Sequence, residues 1–187
     1  GIDSEEIVGA AVGMEHMLYS LMRISAERKG NSIYFDDAVT MGLWFGEKGH
    51  AELTPRTQAV VDFFKKTTCK CTFKSDIITE MWYKYAINIS RNLPQAVLGV
   101  GVGAYDDSEH VEFISHRLWE EVDTVARAKG ITISPYGFAH SPRKNAHLST
   151  LQDLMAGRHT EIDMFAGTMI RMGKELGIPV PYCEYTF

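Results

Sequence analysis

Glu80-Met81-Trp82-Tyr83-Lys84-Tyr85-Ala86-Ile87-Asn88-Ile89-Ser90-Arg91-Asn92-Leu93 carries three polar side chains, Lys84, Asn88 and Asn92, at every fourth position. Four residues are slightly more than one α-helical turn, so the three share a slowly drifting stripe spread over ~12 Å of helix axis. Ile77, Ile78, Met81, Trp82, Tyr85, Ala86, Ile87 and Ile89 make the helix apolar on nearly every other side, which predicts burial. A lysine and two carboxamides along a buried helix are costly unless they face something polar. A ligand bearing a carbonyl, hydroxyls and a carboxylate would suit them. The plainer reading of the stripe alone is a snorkelling lysine with two solvated or capping asparagines.

A second constellation lies at Ser149-Thr150-Leu151-Gln152-Asp153-Leu154-Met155-Ala156-Gly157-Arg158-His159-Thr160-Glu161-Ile162-Asp163. Ser149 with Gln152 has the S-x-x-Q form of a capping box, so Ser149 is expected to open a short helix that Gly157 closes. Thr160 reads as the N-cap of the next helix, which puts Glu161 in its first turn, where the helix dipole favours a carboxylate. Each residue viewed singly is a plain cap. Two helix N-termini so close in sequence also offer unpaired N–H groups, a common seat for an oxyanion.

The remaining chain has a mixed organisation. Glu5 to Val12 reads as a short helix. Met17 to Ser25, Ser32 to Phe35 and Met41 to Phe45 are β-rich runs separated by Lys29-Gly30-Asn31 and Asp36-Asp37, which predicts a small antiparallel meander. Thr54-Pro55 opens a helix running to about Lys65. Cys69 to Phe73 reads as a last strand, with Cys69 and Cys71 on one face. From Ser75 onward the signals are helical: the stripe-bearing helix, then Asp107 to Lys129 with Val111, Ile114, Leu118, Val122 and Val125 at helical spacing, ended by Gly130. Ile162, Phe165, Ala166, Met169 and Leu176 are expected to face inward on a later helix. Gly99-Val100-Gly101-Val102-Gly103 follows the stripe helix rather than a strand and reads as a helix exit. The domain boundary is expected at residues 74/75.

Composition narrows the function classes. With 187 residues, 45% hydrophobic and 23% charged, the chain can bury a sizeable core. A net charge of −5 without a long basic cluster argues against nucleic acid as the main partner. No apolar stretch approaches the ~20 residues needed to span a bilayer. Three cysteines make no disulfide framework and lack His or Cys partners at metal-ligand spacing, so reduced thiols in a cytoplasmic protein, with no metal, is the default expectation.

Taken together, the motifs resemble the ketopantoate reductase (2-dehydropantoate 2-reductase) family. The resemblance rests on Lys84-x-x-x-Asn88-x-x-x-Asn92, on Ser149-x-Leu151-Gln152-Asp153 and on Arg158-x-Thr160-Glu161-Ile162-Asp163. Ile24-Ser25-Ala26-Glu27-Arg28-Lys29-Gly30 and Gly173-x-Glu175-Leu176-Gly177-Ile178-Pro179-Val180-Pro181 support it, and the match follows the family's order along essentially the whole chain. It implies an α+β chain: residues 1–74 are the C-terminal portion of a Rossmann-type nucleotide-binding domain, and residues 75–187 an all-helical domain like that at the C-terminus of 6-phosphogluconate dehydrogenase. Family members begin with a strand, a G-x-G-x-x-G turn and a helix that hold the dinucleotide pyrophosphate. No stretch here has that form, and Gly1-Ile2-Asp3 matches a point inside the family's nucleotide domain, so a fragment is expected.

The resemblance also implies a chemistry: NADPH-dependent reduction of an α-keto acid of the 2-dehydropantoate type, in pantothenate biosynthesis. Lys84 matches the family's general acid. A lysine is a poor acid at its ordinary pKa of ~10.4, and burial would lower it. Asn88, Asn92 and Ser149 match substrate-binding residues. Glu161 matches a carboxylate near substrate and the nicotinamide ribose, and Ala26 a backbone contact to the nicotinamide end of NADP(H). The histidines match no catalytic position. Some members place a further substrate asparagine where this chain has Val102, so the motifs specify the reaction type better than the keto acid. The expected partner is a small-molecule keto acid, and an open sheet edge at residues 15–46 would allow a homodimer. Two other readings remain: a β-hydroxyacid dehydrogenase of the hydroxyisobutyrate type, which also carries a lysine and an asparagine one turn apart, and a noncatalytic helical dimerisation module in which Lys84 is structural.

Overall fold

The computed structural model describes residues 1–24, 26–38 and 40–187, without the side chains of residues 27–29. Ser25, where the first expected strand ends, lies outside the described residues. The architecture is mixed α/β, a small sheet with many helices. It divides into two compact units, residues 3–81 and residues 82–187 together with Gly1 and Ile2.

In the first unit, helix α1 (Ser4–Val12) and a 3₁₀ turn (Met14–His16) precede strands β1 (Tyr19–Arg23), β2 (Ala26–Lys29), β3 (Ser32–Phe35) and β4 (Gly42–Gly46). Helix α2 (Pro55–Phe64), strand β5 (Cys71–Phe73) and the start of helix α3 (Ile77–Ile87) follow. The expected single meander resolves into two sheets. β1 pairs antiparallel with β4, Tyr19 opposite Gly46, and β4 pairs parallel with β5, Leu43 opposite Cys71. β2 and β3 form a separate hairpin, Lys29 opposite Ser32. Gly30, at φ 60°, makes the reversal so tight that Ser32–Phe35 folds straight back onto Ala26–Lys29. The Ala-Glu-Arg-Lys run has no β-branched or aromatic residue, which hid β2 from a propensity reading.

β5 is shorter than expected. The Thr67 hydroxyl accepts the Cys69 N–H at 3.1 Å and turns the chain ahead of the strand. Cys69 is therefore exposed outside the strand, and shares no strand face with the half-buried Cys71. α2 begins as its sequence predicts: Thr54 and Thr57 form a reciprocal capping box, and the Thr54 hydroxyl donates to the Glu47 carboxylate at 2.6 Å. Tyr19, Leu21, Phe45 and Ile77 are buried, with Phe45 edge-on to Phe73 at 6.1 Å.

The second unit is helical. α3 leads into a π-helical turn (Asn88–Asn92), α4 (Leu93–Leu98), α5 (Ala104–Asp107) and α6 (Glu109–Ala128). After an irregular stretch come α7 (Ser149–Met155), a second π turn (Asp163–Gly167), α8 (Thr168–Leu176) and α9 (Pro181–Thr186). Ser108, at φ −137° and ψ 114°, is extended and splits the expected Asp107–Lys129 helix into α5 and α6. Val111, Leu118, Val122 and Val125 of α6 are buried as their spacing predicts, and Ile114 is half-buried. Phe165, Ala166 and Met169 also face the core. Leu176 does not: it closes α8 at the solvent, and Gly173 occupies the buried position, where a Cβ would lie 2.7 Å from the Ile178 carbonyl. Among the described residues no helix is long and apolar enough to cross a membrane.

Candidate functional site

The stripe helix is not uniformly α-helical. Its middle, Asn88–Asn92, widens into a π turn before Pro94. Proline has no N–H to return to the carbonyl four residues earlier, and its ring crowds that turn, so a wider turn ahead of it relieves both problems. The consequence falls on the polar stripe. Four residues overshoot one turn of α-helix but fall short of one π turn, so the drift from Lys84 to Asn88 is reversed between Asn88 and Asn92. The wide turn thus keeps the polar residues nearer one face than a regular helix would.

Burial grades along that face. Lys84 and Asn88 are half-buried, less enclosed than the apolar composition predicts, and Asn92 is 6% exposed. Lys84 sits between two anchored tyrosines. Tyr83 packs edge-on against Trp119 at 5.7 Å, and the Tyr85 hydroxyl donates to the Phe165 carbonyl at 2.7 Å. A buried tyrosine needs a partner for its O–H, and the second π turn supplies that carbonyl. Arg91, the other cation of the stretch, is committed elsewhere. Its guanidinium lies 3.7 Å from the Tyr105 ring centroid, 4.6 Å from that of Phe138 and 3.7 Å from the Glu112 carboxylate. Burial pushes the neighbouring Tyr105 hydroxyl above the ordinary phenol range and the Tyr136 hydroxyl up to about 12, so both stay protonated donors.

Ser149 is not the N-cap its motif predicts. The cap position belongs to Leu148, and the Gln152 side chain donates to the His147 carbonyl instead of closing a capping box. The Leu148 N–H is taken by the side-chain oxygen of Gln95 from α4. Relieved of capping, the Ser149 hydroxyl accepts from Asn92 Nδ2 at 3.1 Å. The structure therefore brings Asn92 and Ser149 into direct contact.

Glu161 also departs from expectation. The helical run begins with the π turn at Asp163, not at Glu161, and becomes regular only at Thr168, although Thr160 Oγ1 accepts the Ile162 N–H at 3.4 Å and the Glu161 carbonyl accepts the Phe165 N–H at 3.1 Å. Glu161 is exposed just ahead of the π turn, and the Tyr85–Phe165 bond ties that turn to the helix bearing Lys84. Arg171 fixes the turn from its other side, donating to the Asp163 carboxylate at 2.9 Å and to Thr168 Oγ1 at 2.8 Å. Ala26 is an exposed residue at the start of β2 and belongs to the other unit. Sequence reasoning missed Gln95, fully buried, and the hydroxyls of Ser90 and Thr150, which are buried without a hydrogen-bond partner among the described residues and lie near Asn92 and Ser149 in sequence. The polar Gln95 within the apolar exit of the stripe helix was the available signal.

Residues 76–187 match the family described as ketopantoate reductase PanE/ApbA C terminal. The 2-dehydropantoate 2-reductase of Streptococcus pyogenes serotype M6 is 29% identical over 132 residues, 67% of this chain and 43% of the relative. That of Vibrio cholerae serotype O1 is 30% identical over 139 residues, 69% of this chain and 45% of the relative. The chain thus matches less than half the length of these curated relatives. Among solved structures, a PanE/ApbA family ketopantoate reductase from Ralstonia eutropha JMP134 superposes with a TM-score of 0.76 at 23% identity, over 96% of this chain and 61% of that one. The complex of D-mandelate dehydrogenase with NADH gives 0.83 at 20% identity, over 100% of this chain and 65% of that one. At such identities the structural likeness speaks for the fold. The match over residues 76–187 is what decides kinship: the chain belongs to the ketopantoate reductase family.

Proposed function

We propose that this chain is the substrate-binding and proton-donating part of an NADPH-dependent reductase that converts 2-dehydropantoate to pantoate in pantothenate biosynthesis. In this reading residues 1–74 are the later part of a Rossmann-type nucleotide domain and residues 75–187 an all-helical domain of the 6-phosphogluconate dehydrogenase C-terminal kind. The observation that carries it is the 3.1 Å bond from Asn92 to Ser149, which pairs two residues 57 apart in sequence. Because Ser149 Oγ accepts from Asn92, its own O–H remains to donate to a ligand. Asn88 and the second Asn92 N–H add carboxamide donors, a set suited to a carboxylate and its neighbouring oxygens. Lys84, on the same helix, would pass a proton to the keto oxygen as it becomes an alkoxide and stabilise the charge developing there. Bound nicotinamide supplies the hydride. Glu161 and the Ala26 backbone, each in its own unit, are assigned to the cofactor by the family motifs they match.

Ser149→Ala in the complete enzyme is expected to raise KM for 2-dehydropantoate by the equivalent of ~1–3 kcal/mol, the worth of a hydrogen bond to a charged group. If Ser149 serves packing alone, the melting temperature falls and KM stays.

The pyrophosphate of the dinucleotide finds no seat on the helices that follow strands here. The α2 N-terminus is filled by the Thr54–Thr57 box and faced by Glu47, and the Asp76 carboxylate accepts the Thr79 N–H at 3.1 Å at the start of α3. Anions at both ends repel a phosphate. Fluorescence titration of this 187-residue chain with NADPH is therefore expected to show no binding in the low-micromolar range. Tight binding would mean that the cofactor site lies within these residues.

A further inference from the structure

We propose that Gln95, Gly101 and Gly103 form a cradle that sets the position of Ser149, making the exit of the stripe helix a positioning element for the substrate site. The inference rests on the assignment of Asn92 and Ser149 to substrate.

Gln95 lies one turn beyond Asn92 and is fully buried. Its amide nitrogen donates to the Ala146 carbonyl at 3.2 Å, and its oxygen accepts the Leu148 N–H. The second contact is the half of a capping box that the third residue of a helix normally supplies, delivered here from another helix. The glycine-rich run completes the grip. Val102 N–H donates to the Ala146 carbonyl at 2.9 Å, and Gly103 N–H to the Lys144 carbonyl at 2.7 Å.

Gly101 and Gly103 lack the positive φ of Gly99, so the two glycines serve approach rather than backbone conformation. A Cβ at Gly101 would stand 2.5 Å from the Lys144 carbonyl oxygen and 3.0 Å from Asn145 Cα, and one at Gly103 would stand 2.7 Å from Lys144 Cβ. Any side chain at Gly101 must therefore push away the backbone that runs directly into Ser149. The same helix that carries Asn92 thus holds the segment that presents its partner.

The test pairs two independent variants, Gln95→Met and Gly101→Ala, in the complete enzyme. Each is expected to raise KM for 2-dehydropantoate about fivefold or more, with kcat within about twofold, as for a displaced hydrogen bond. In a Ser149→Ala background neither should raise KM further, because both act through that residue. Additive effects, or a lower melting temperature with KM unmoved, would overturn the cradle. Amide hydrogen exchange provides a readout that needs no variant. In the unmodified chain the Leu148 amide, held by Gln95 in a part-buried hydrogen bond, is expected to exchange at least about tenfold more slowly than that of exposed Asn145. Equal rates would also overturn it. If Ser149→Ala itself leaves KM unmoved, the substrate assignment is what fails, and the exchange of Leu148 in Gln95→Met still decides the cradle: acceleration upholds it, and an unchanged rate removes it.

Discussion

Lys84→Ala is expected to lower kcat of the complete enzyme by ~10²–10⁴, the usual cost of removing a positioned general acid, while KM moves far less. The expectation follows from how charge is distributed on the stripe helix. Arg91 is held by two aromatic rings and Glu112, so its cation is spoken for. Lys84 lies on the stripe with Asn88 and Asn92, between tyrosines that fix the helix on either side. A partly enclosed ammonium there can give up a proton and stabilise an oxyanion, two roles that substitution can separate. Lys84→Arg keeps the charge, but a guanidinium does not release its proton in this pH range. If proton transfer dominates, Lys84→Arg should be nearly as slow as Lys84→Ala. If charge dominates, it should recover much of the rate. Steady-state kinetics across pH decide between the two, and wild-type turnover in Lys84→Ala would end the assignment altogether.

The elements that could be read from sequence are those whose determinants are local. α2 follows from its cap and α6 from its periodicity and the glycine that ends it, and these two, like α1, lie within about two residues of their predicted spans. The stripe was legible as a chemical pattern, but its apolar neighbours foretold burial only at Asn92, while Lys84 and Asn88 are half-buried. What could not be read was supplied from a distance. Ser149 looked like an N-cap because its local motif is a capping motif, yet the cap comes from Gln95 on another helix. Of the β2–β3 hairpin, the turn at Gly30 and the strand Ser32–Phe35 were legible, but β2 was hidden because its pairing with β3, not its own strand propensity, makes it a strand. The π turns depend on proline and on cross-helix bonds such as Tyr85 to Phe165, which no single-helix pattern encodes. The glycine run was read correctly as a helix exit at Gly99, but the roles of Gly101 and Gly103 exist only once the segment at Lys144 and Asn145 lies against them.

Capping from a neighbour recurs at the last helix, and there it carries the largest expected effect on stability. Val180 holds the N-cap position of α9 and has no side chain able to cap it. The carboxylate of Glu121, from the middle of α6 and only 8% exposed, accepts the N–H groups of Tyr182 at 2.7 Å and Cys183 at 2.9 Å. Both bonds are charge-assisted, and the helix dipole favours the anion. Glu121→Ala strands a buried and a part-buried donor at once, and is expected to cost ~3–5 kcal/mol, the sum of two hydrogen bonds to a charged group. Glu121→Gln keeps an acceptor and should cost clearly less. Urea unfolding followed by tryptophan fluorescence measures both. Cys183 offers a second, local readout: it is fully buried, and burial, then the Glu121 charge, push its thiol well above the ordinary cysteine range. Since the thiolate is the reactive form, the native protein should resist thiol reagents at Cys183 near neutral pH. In Glu121→Ala the short helix should open more often, and labelling of Cys183 should accelerate in step with the loss of stability. An unchanged unfolding midpoint together with an unlabelled Cys183 would mean that α9 is held by packing alone, and that Glu121 is buried there without stabilising the fold.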